Sequence, residues 1–354
     1  MTGVRVRTIT LLLACLAAIA VGIGVARWQS DAPPATGTAG GGPDDARYTL
    51  AEVSLPEDDA GRIIASAALG ENLVLVGTSK ERVYYVDRAH GGVAKPMTAT
   101  LGQVRSIRVS ADGGTAAVLS QEGALRIMNL SRETPTDLTI DPLEGPGALS
   151  PGGDLFVFGS FELTVVDAAD GRTSTLPEKP VPDGGRSAYE DWAVTGDGLV
   201  RAASLEGVDT WDPADPDRAG ETIGCACEAR SVRFNGDGSL AAFGTADGHE
   251  VVVDLTTGRV LADKTVAVGD FTIIWTATVL GDGRRAAAGT PSGVAVWDVG
   301  ARRTVWEHTF PGYRVEEVGA VPNSDALLIR TIARKESEGG GAADSQVWIA
   351  TPAP

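Results

Sequence analysis

Short apolar runs of four to six residues recur along most of this chain, each cut by a polar turn rich in Gly. The pattern is plainest in VRFNGDGSLAAFGTADGHEVVVDLTTGRVL (232–261), where Gly-Asp-Gly, Ala-Asp-Gly and Thr-Thr-Gly separate four such runs. Runs of that length, rich in Val, Ile, Phe and Trp, predict β-strands, and Asp-Gly or Thr-Gly between them predicts tight hairpins.

The turn repeats. NGDGSL at 235 has counterparts in SADGGT at 110, SPGGDL at 150, TGDGLV at 195 and LGDGRR at 280, with weaker ones in LGENLV at 69 and PNSDAL at 322. Successive turns are therefore 40 to 45 residues apart. After each turn comes a run that mostly ends in a small residue plus Ser or Thr: LVLVGT (73–78), TAAVLS (115–120), LFVFGS (155–160), LVRAAS (199–204), LAAFGT (240–245) and RAAAGT (285–290). A third run then ends in Asp or Asn: VYYVD (83–87), LRIMN (125–129), LTVVD (163–167), VDTWD (208–212), VVVD (251–254) and VAVWD (294–298). Three registers at one period of several short strands mark a propeller with one four-stranded sheet per blade. No single blade buries both faces, so the blades must stack into a ring. Seven periods nearly fill residues 47–354, which predicts one all-β, seven-bladed propeller domain. The last unit has runs near 315–321, 326–333 and 346–351 and is then one strand short, while RYTLAEVSL (47–55) precedes the first unit without a blade of its own. The N-terminal strand is expected to complete the last blade as its outer strand, which also covers an open sheet edge.

Strand, S-x-D-G turn, strand ending in Gly-Ser/Thr, then strand ending in Trp-Asp resembles the WD-repeat propellers. Trp211-Asp212 and Trp297-Asp298 match the signature dipeptide, whereas Asp87, Asp167 and Asp254 keep only the Asp. The Gly-His that opens such repeats is missing at those openings, and the three histidines are His90, His249 and His308. The resemblance covers about 300 residues and implies an interaction platform. It also implies that the loops joining blades, and those joining second to third strands, share one face, the top.

Ahead of the repeats, MTGVRVR leads into TITLLLACLAAIAVGIGVA (8–26), 19 positions without a charge. That length spans a hydrocarbon core of ~30 Å. A cleaved signal peptide at Ala18-Ile19-Ala20 and a lipidated Cys15 are alternatives, but an uncleaved signal anchor is the expectation, with residues 1–28 forming a cytoplasmic tip and transmembrane segment. All three export the rest of the chain, so a single-pass cell-membrane protein with its propeller on the extracytoplasmic side is expected. Residues 29–46, rich in Pro, Gly, Ala and Asp, read as a flexible linker.

Charge narrows the partners. The net charge is −17, and in residues 1–46 Arg5, Arg7 and Arg27 cancel Asp31, Asp44 and Asp45, so the propeller carries all of it. So acidic a surface repels phosphate backbones, which argues against nucleic acid. The expected partner is another protein or an envelope component bound by a monomeric propeller, with membrane contact only through residues 8–26.

Three loops fall on the predicted top face: 177–191 with Tyr189, followed by Trp192; GCACEARS (224–231) with Cys225, Cys227 and Arg230; and 333–345 with Arg334 and Lys335. Binding residues gather on loops held by a rigid scaffold, so these seven are the candidate interaction residues. Cys225 and Cys227 have three readings: a local disulfide, free thiols, or a redox or metal role. Extended residues at i and i+2 have Cα atoms about 6.5–7 Å apart, so a bridge needs a turn there. NGDGS at 235 lacks the Gly and Glu of a calcium loop, having Leu240 and Ala246 at those positions, and DPADPD at 212–217 reads as turns. VWDVGARRTVW (296–306) resembles the docking repeat of quinoprotein propellers, but only once and with Ala301 in place of Gly, so no cofactor is expected. No catalytic or metal residues are assigned. The alternative is an exported hydrolase or lyase working at the channel mouth. The predicted inner strands offer it Arg105, Arg108, Arg233, Glu316 and Glu317 but no His. A membrane-assembly scaffold of the outer-membrane type would have the same fold.

Overall fold

The apolar runs form strands, and the strands form seven four-stranded antiparallel sheets. In the 232–261 region the blade comprises Ala229–Phe234, Leu240–Thr245, His249–Asp254 and Arg259–Thr265, paired in chain order. The computed structural model describes residues 48–353 apart from 57–61, 91, 98–101, 131–135, 140–146, 160–162, 177–188, 205–206, 216–218, 226, 270–272 and 335–344. The expected signal anchor (1–28) and linker (29–46) lie outside the described residues. Among the described residues no helix is long and apolar enough to cross a membrane, and a single 3-10 turn, Arg88–His90, interrupts the β-structure.

The first strands of the blades are Ile63–Gly70, Val104–Val109, Gly147–Leu149, Asp191–Val194, Ala229–Phe234, Thr276–Leu280 and Tyr313–Ala320. They adjoin one another in succession and line the centre of an all-β, seven-bladed propeller. Second strands are the most enclosed, and in Thr115–Ser120 every residue is buried. Outer strands such as Arg259–Thr265 and Arg303–Thr309 mostly face solvent.

Hydrophobic cores lie between neighbouring blades. Ala242 and Val252 of blade 5 pack with Ala288 and Trp297 of blade 6, and Val321 and Ile349 of blade 7 pack with Val74 and Tyr84 of blade 1. This arrangement explains the small residue before Ser or Thr at the end of the second run. A Cβ on Gly244 would lie 2.4 Å from Ile274 Cγ2, where the chain entering blade 6 crosses it. One on Gly289 would lie 2.5 Å from Thr276 Cγ2. Interiors are close-packed, so only Gly admits that approach.

The repeated turns join first to second strands and close on their own side chains. Ser110 Oγ donates to Asp112 Oδ1 at 2.6 Å and accepts from the Thr115 N–H at 2.9 Å. Asp237 Oδ1 likewise accepts the N–H and hydroxyl of Ser239 at 2.9 and 2.6 Å, and Gly238 takes the left-handed φ of 71° that the turn requires. These carboxylates serve hairpins, in keeping with the turn reading of the sequence.

The ring closes where the sequence places the closure. Tyr48–Glu52 pairs antiparallel with Ser345–Pro352, from Tyr48 opposite Pro352 to Glu52 opposite Trp348, as the outer strand of the last blade. Tyr48 also fastens this blade to its neighbour. Its hydroxyl donates to the Asp325 carbonyl at 3.1 Å and accepts from Arg285 of blade 6 at 3.2 Å.

His249 is the first residue of a third strand and sits 2.8 Å from Asp263 on the paired outer strand. The first strand of blade 6 begins at Thr276, and the buried Ile274 just before it fills the space beside Gly244.

Candidate functional site

Because every blade is antiparallel, loops between blades and loops from second to third strands emerge on one face, the top. The Asp-Gly turns emerge on the other. All the described candidate residues from the sequence fall on or just below the top face, but they do different things there.

Tyr189 and Trp192 are built into blade 4. The Trp192 ring is buried, and its Nε1–H donates to the Gly159 carbonyl of blade 3 at 3.0 Å. The Tyr189 ring lies 4.8 Å from Trp192, tilted by 55°, and edge-on at 5.9 Å to Trp211, while its hydroxyl donates to Asp209 Oδ2 at 2.9 Å. These aromatics tie the start of the blade to its Trp-Asp strand; Trp192 offers no surface to a partner. Residues 177–188 of that loop lie outside the described residues.

Cys225 and Cys227 are joined as a disulfide with Cα atoms 5.2 Å apart, closer than an extended pair, so the chain turns here between blades 4 and 5. Cys225 is buried against Val208, Ala229 and Phe243, and Cys227 is half-buried beside it. Arg230 is exposed at the start of the next strand. Arg334 reaches across to blade 6, donating to the Pro291 carbonyl at 2.7 Å and to Ser292 Oγ at 3.3 Å, so it clamps two blades at the top. Lys335 lies outside the described residues.

The most exposed aromatic surface among the described residues is one the sequence reading passes over. Ile273 and Trp275 flank the buried Ile274 in the loop between blades 5 and 6, and are 39% and 41% exposed. The Arg314 guanidinium of blade 7 lies 5.5 Å from the centre of the Trp275 ring and pairs at 2.7 Å with Glu316. An arginine over an indole is attractive, by about 0.5–1 kcal/mol at an exposed site. The signal was present in sequence as Ile-Ile-Trp, but a continuous apolar run cannot show where alternation begins.

Below this rim the channel narrows to a belt of charge. Arg330 donates Nε and a terminal N–H to Glu317 Oε2, both at 3.3 Å. Arg233 lies 3.7 Å from Asp191 Oδ1 and 4.0 Å from Glu317 Oε1. Burial alone would raise the Glu317 carboxyl, but Arg330, Arg233 and Arg108 together hold it below the usual range. Arg105, Arg108, Arg233, Glu316 and Glu317 all line a cavity of about 200 Å³ at the upper end of the channel, as the inner-strand reading requires. Among the described residues no three His, Cys, Asp or Glu side chains converge as a metal set.

No known family model matches this sequence, and no curated protein matches it significantly.

Proposed function

We propose that this protein is a membrane-tethered, extracytoplasmic propeller that binds another protein or an envelope component through its top face, as WD-repeat propellers do. The observation that carries the reading is exposed Ile273 beside exposed Trp275, whose ring lies under the Arg314 guanidinium on the top rim. Tryptophan, tyrosine and arginine dominate binding energy at protein interfaces, and an exposed apolar patch on a folded domain marks a place of contact. The acidic surface favours a protein over nucleic acid, and the apolar segment 8–26 supplies the tether.

The test is proximity labelling from the full-length protein on intact cells. A reproducible neighbour should be recovered, and Ile273→Ser with Trp275→Ala should remove it while the unfolding midpoint stays unchanged. Recovering no reproducible neighbour, or one indifferent to the double substitution, would overturn the reading.

A further inference from the structure

Exposed Ile273 and Trp275 are fastened to the ring by the residue between them and by two backbone bonds. Ile274 is fully buried and shares one apolar cluster with Ala242, Val252 and Trp297 at the seam of blades 5 and 6. Its N–H donates to the Thr245 carbonyl of blade 5 at 3.1 Å, and the Trp275 N–H donates to the Gly289 carbonyl of blade 6 at 3.0 Å. The rim segment is thus stitched across the seam, with one bond to each blade.

The seam beneath it holds a group at odds with an apolar core. Glu250 is fully buried and lies directly opposite Gly244 in the strand pairing, so its side chain leaves the same face of blade 5 against which Ile274 packs. One carboxyl oxygen accepts the Trp297 indole N–H across the seam, and the other has no partner among the described residues. Ser231 Oγ, which would lie 2.7 Å from a Cβ on Gly244, is also buried without a partner among the described residues. Two orphan polar atoms therefore flank the contact that seats Ile274. Buried polar groups left half-satisfied are costly.

Charge around Glu250 is sparse. Lys264 of the outer strand is paired directly opposite it and draws the carboxyl toward its ionised form. His249 and Asp263, one residue away on the same two strands, leave the other face and meet each other at 2.8 Å. From blade 6 Glu250 faces Trp297 and the Thr278 backbone, neither of them charged. Burial outweighs these contacts and keeps the carboxyl protonated at pH values where an exposed one is ionised.

We propose that this seam is a proton-controlled latch for the top rim: protonated Glu250 keeps the seam closed and Ile274 seated, and loss of the proton opens the seam and frees Ile273 and Trp275. The consequence for a partner, weaker binding as pH rises, rests on the top-face reading; the latch itself does not. The closed seam holds a proton that the open one, with the carboxyl back in water, releases. Opening therefore grows as pH rises above the ordinary value of 4.5 and levels off above about 8, a gain of roughly fiftyfold between pH 6 and pH 8.

Hydrogen exchange of the full-length protein in detergent tests this at pH 6 and pH 8, resolved to the Ile274 and Trp275 amides and corrected for the intrinsic rate at each pH. Protection at both amides should fall by about tenfold or more in wild type and by less than about twofold in Glu250→Gln, which cannot ionise. Val118, buried in the second strand of blade 2, reports opening of the whole ring and should stay better protected than either amide. Should Glu250→Gln fail to fold, Lys264→Met removes the attraction to the carboxylate and should carry the fall in protection to higher pH. Unchanged protection in wild type, the same fall in Glu250→Gln, or protection at Ile274 equal to that at Val118 would overturn the latch. The expected exchange with no neighbour recovered by labelling would support the latch and overturn only the binding reading.

Discussion

The indole N–H of Trp297 in blade 6 donates to a carboxyl oxygen of Glu250 in blade 5, across the seam between the two blades. Both side chains are fully buried, and the other carboxyl oxygen of Glu250 has no partner among the described residues. In the sequence Trp297 stands out as half of a Trp-Asp pair, but its partner does not, because nothing local in HEVVVD says that Glu250 points between sheets.

Burial, opposed by the Trp297 bond and by Lys264, pushes the Glu250 carboxyl up to about 8, from an ordinary value of 4.5. Between those values the folded protein holds a proton that the unfolded chain has released, so stability falls as pH rises through this window and levels off above it. The full loss is at most roughly 5 kcal/mol. Glu250→Gln keeps an acceptor for the indole and cannot ionise. Denaturant titrations at pH 5 and pH 8.5 should show wild type losing stability relative to Glu250→Gln at the higher pH. The neighbouring His249, raised by its bond to Asp263, changes in the same direction but is present in both proteins.

Ring closure makes a second prediction. Tyr48→Phe removes the hydrogen bonds to Asp325 and Arg285 but leaves the Arg285–Asp325 pair at 3.4 Å and the ring contact with Trp306 at 5.1 Å. The cost should be about 1–2 kcal/mol in equilibrium unfolding. Deleting residues 1–56 exposes the edge of Ser345–Pro352 and should cause concentration-dependent association, visible by light scattering.

Gly244 offers a packing test. Gly244→Ala places a methyl group 2.4 Å from Ile274 Cγ2 and 2.7 Å from Ser231 Oγ, which should cost about 1–3 kcal/mol. Ile274→Ala removes the first clash. In a double-mutant cycle Gly244→Ala should therefore cost less in the Ile274→Ala background than alone.

The Cys225–Cys227 bridge closes a loop of sequence separation 2, so its effect on the unfolded chain is small. Replacing both by Ala should lower stability by about 1–2 kcal/mol. Thiol labelling of the unfolded wild-type chain should find neither residue reactive until reductant is added.

Architecture was legible because it depends on local chemistry repeated seven times. Asp-Gly turns, Gly-Ser/Thr ends and strand lengths each state their own conformation, and their common period states the ring. Even the closing strand at Tyr48 could be inferred by counting. Individual surfaces were harder, since orientation comes from the seams. Tyr189 and Trp192 look like loop aromatics in sequence, but Trp192 is drawn into the seam with blade 3 through Gly159. Ile273 and Trp275 look like core, but the tight approach of Ile274 to Gly244 turns them outward.

Face-resolved photo-crosslinking tests the central claim most directly. A photoreactive amino acid is placed on the top face at position 273 or 275, or on the opposite face at the exposed positions 170 or 282, in the full-length protein on intact cells. One discrete adduct of defined mass should form from 273 and 275, weaken with Arg314→Ala in the 273 variant, which keeps Trp275, and be missing from 170 and 282. Adducts from the opposite face alone, or equal adducts from both faces, would contradict a partner bound through the top of the ring.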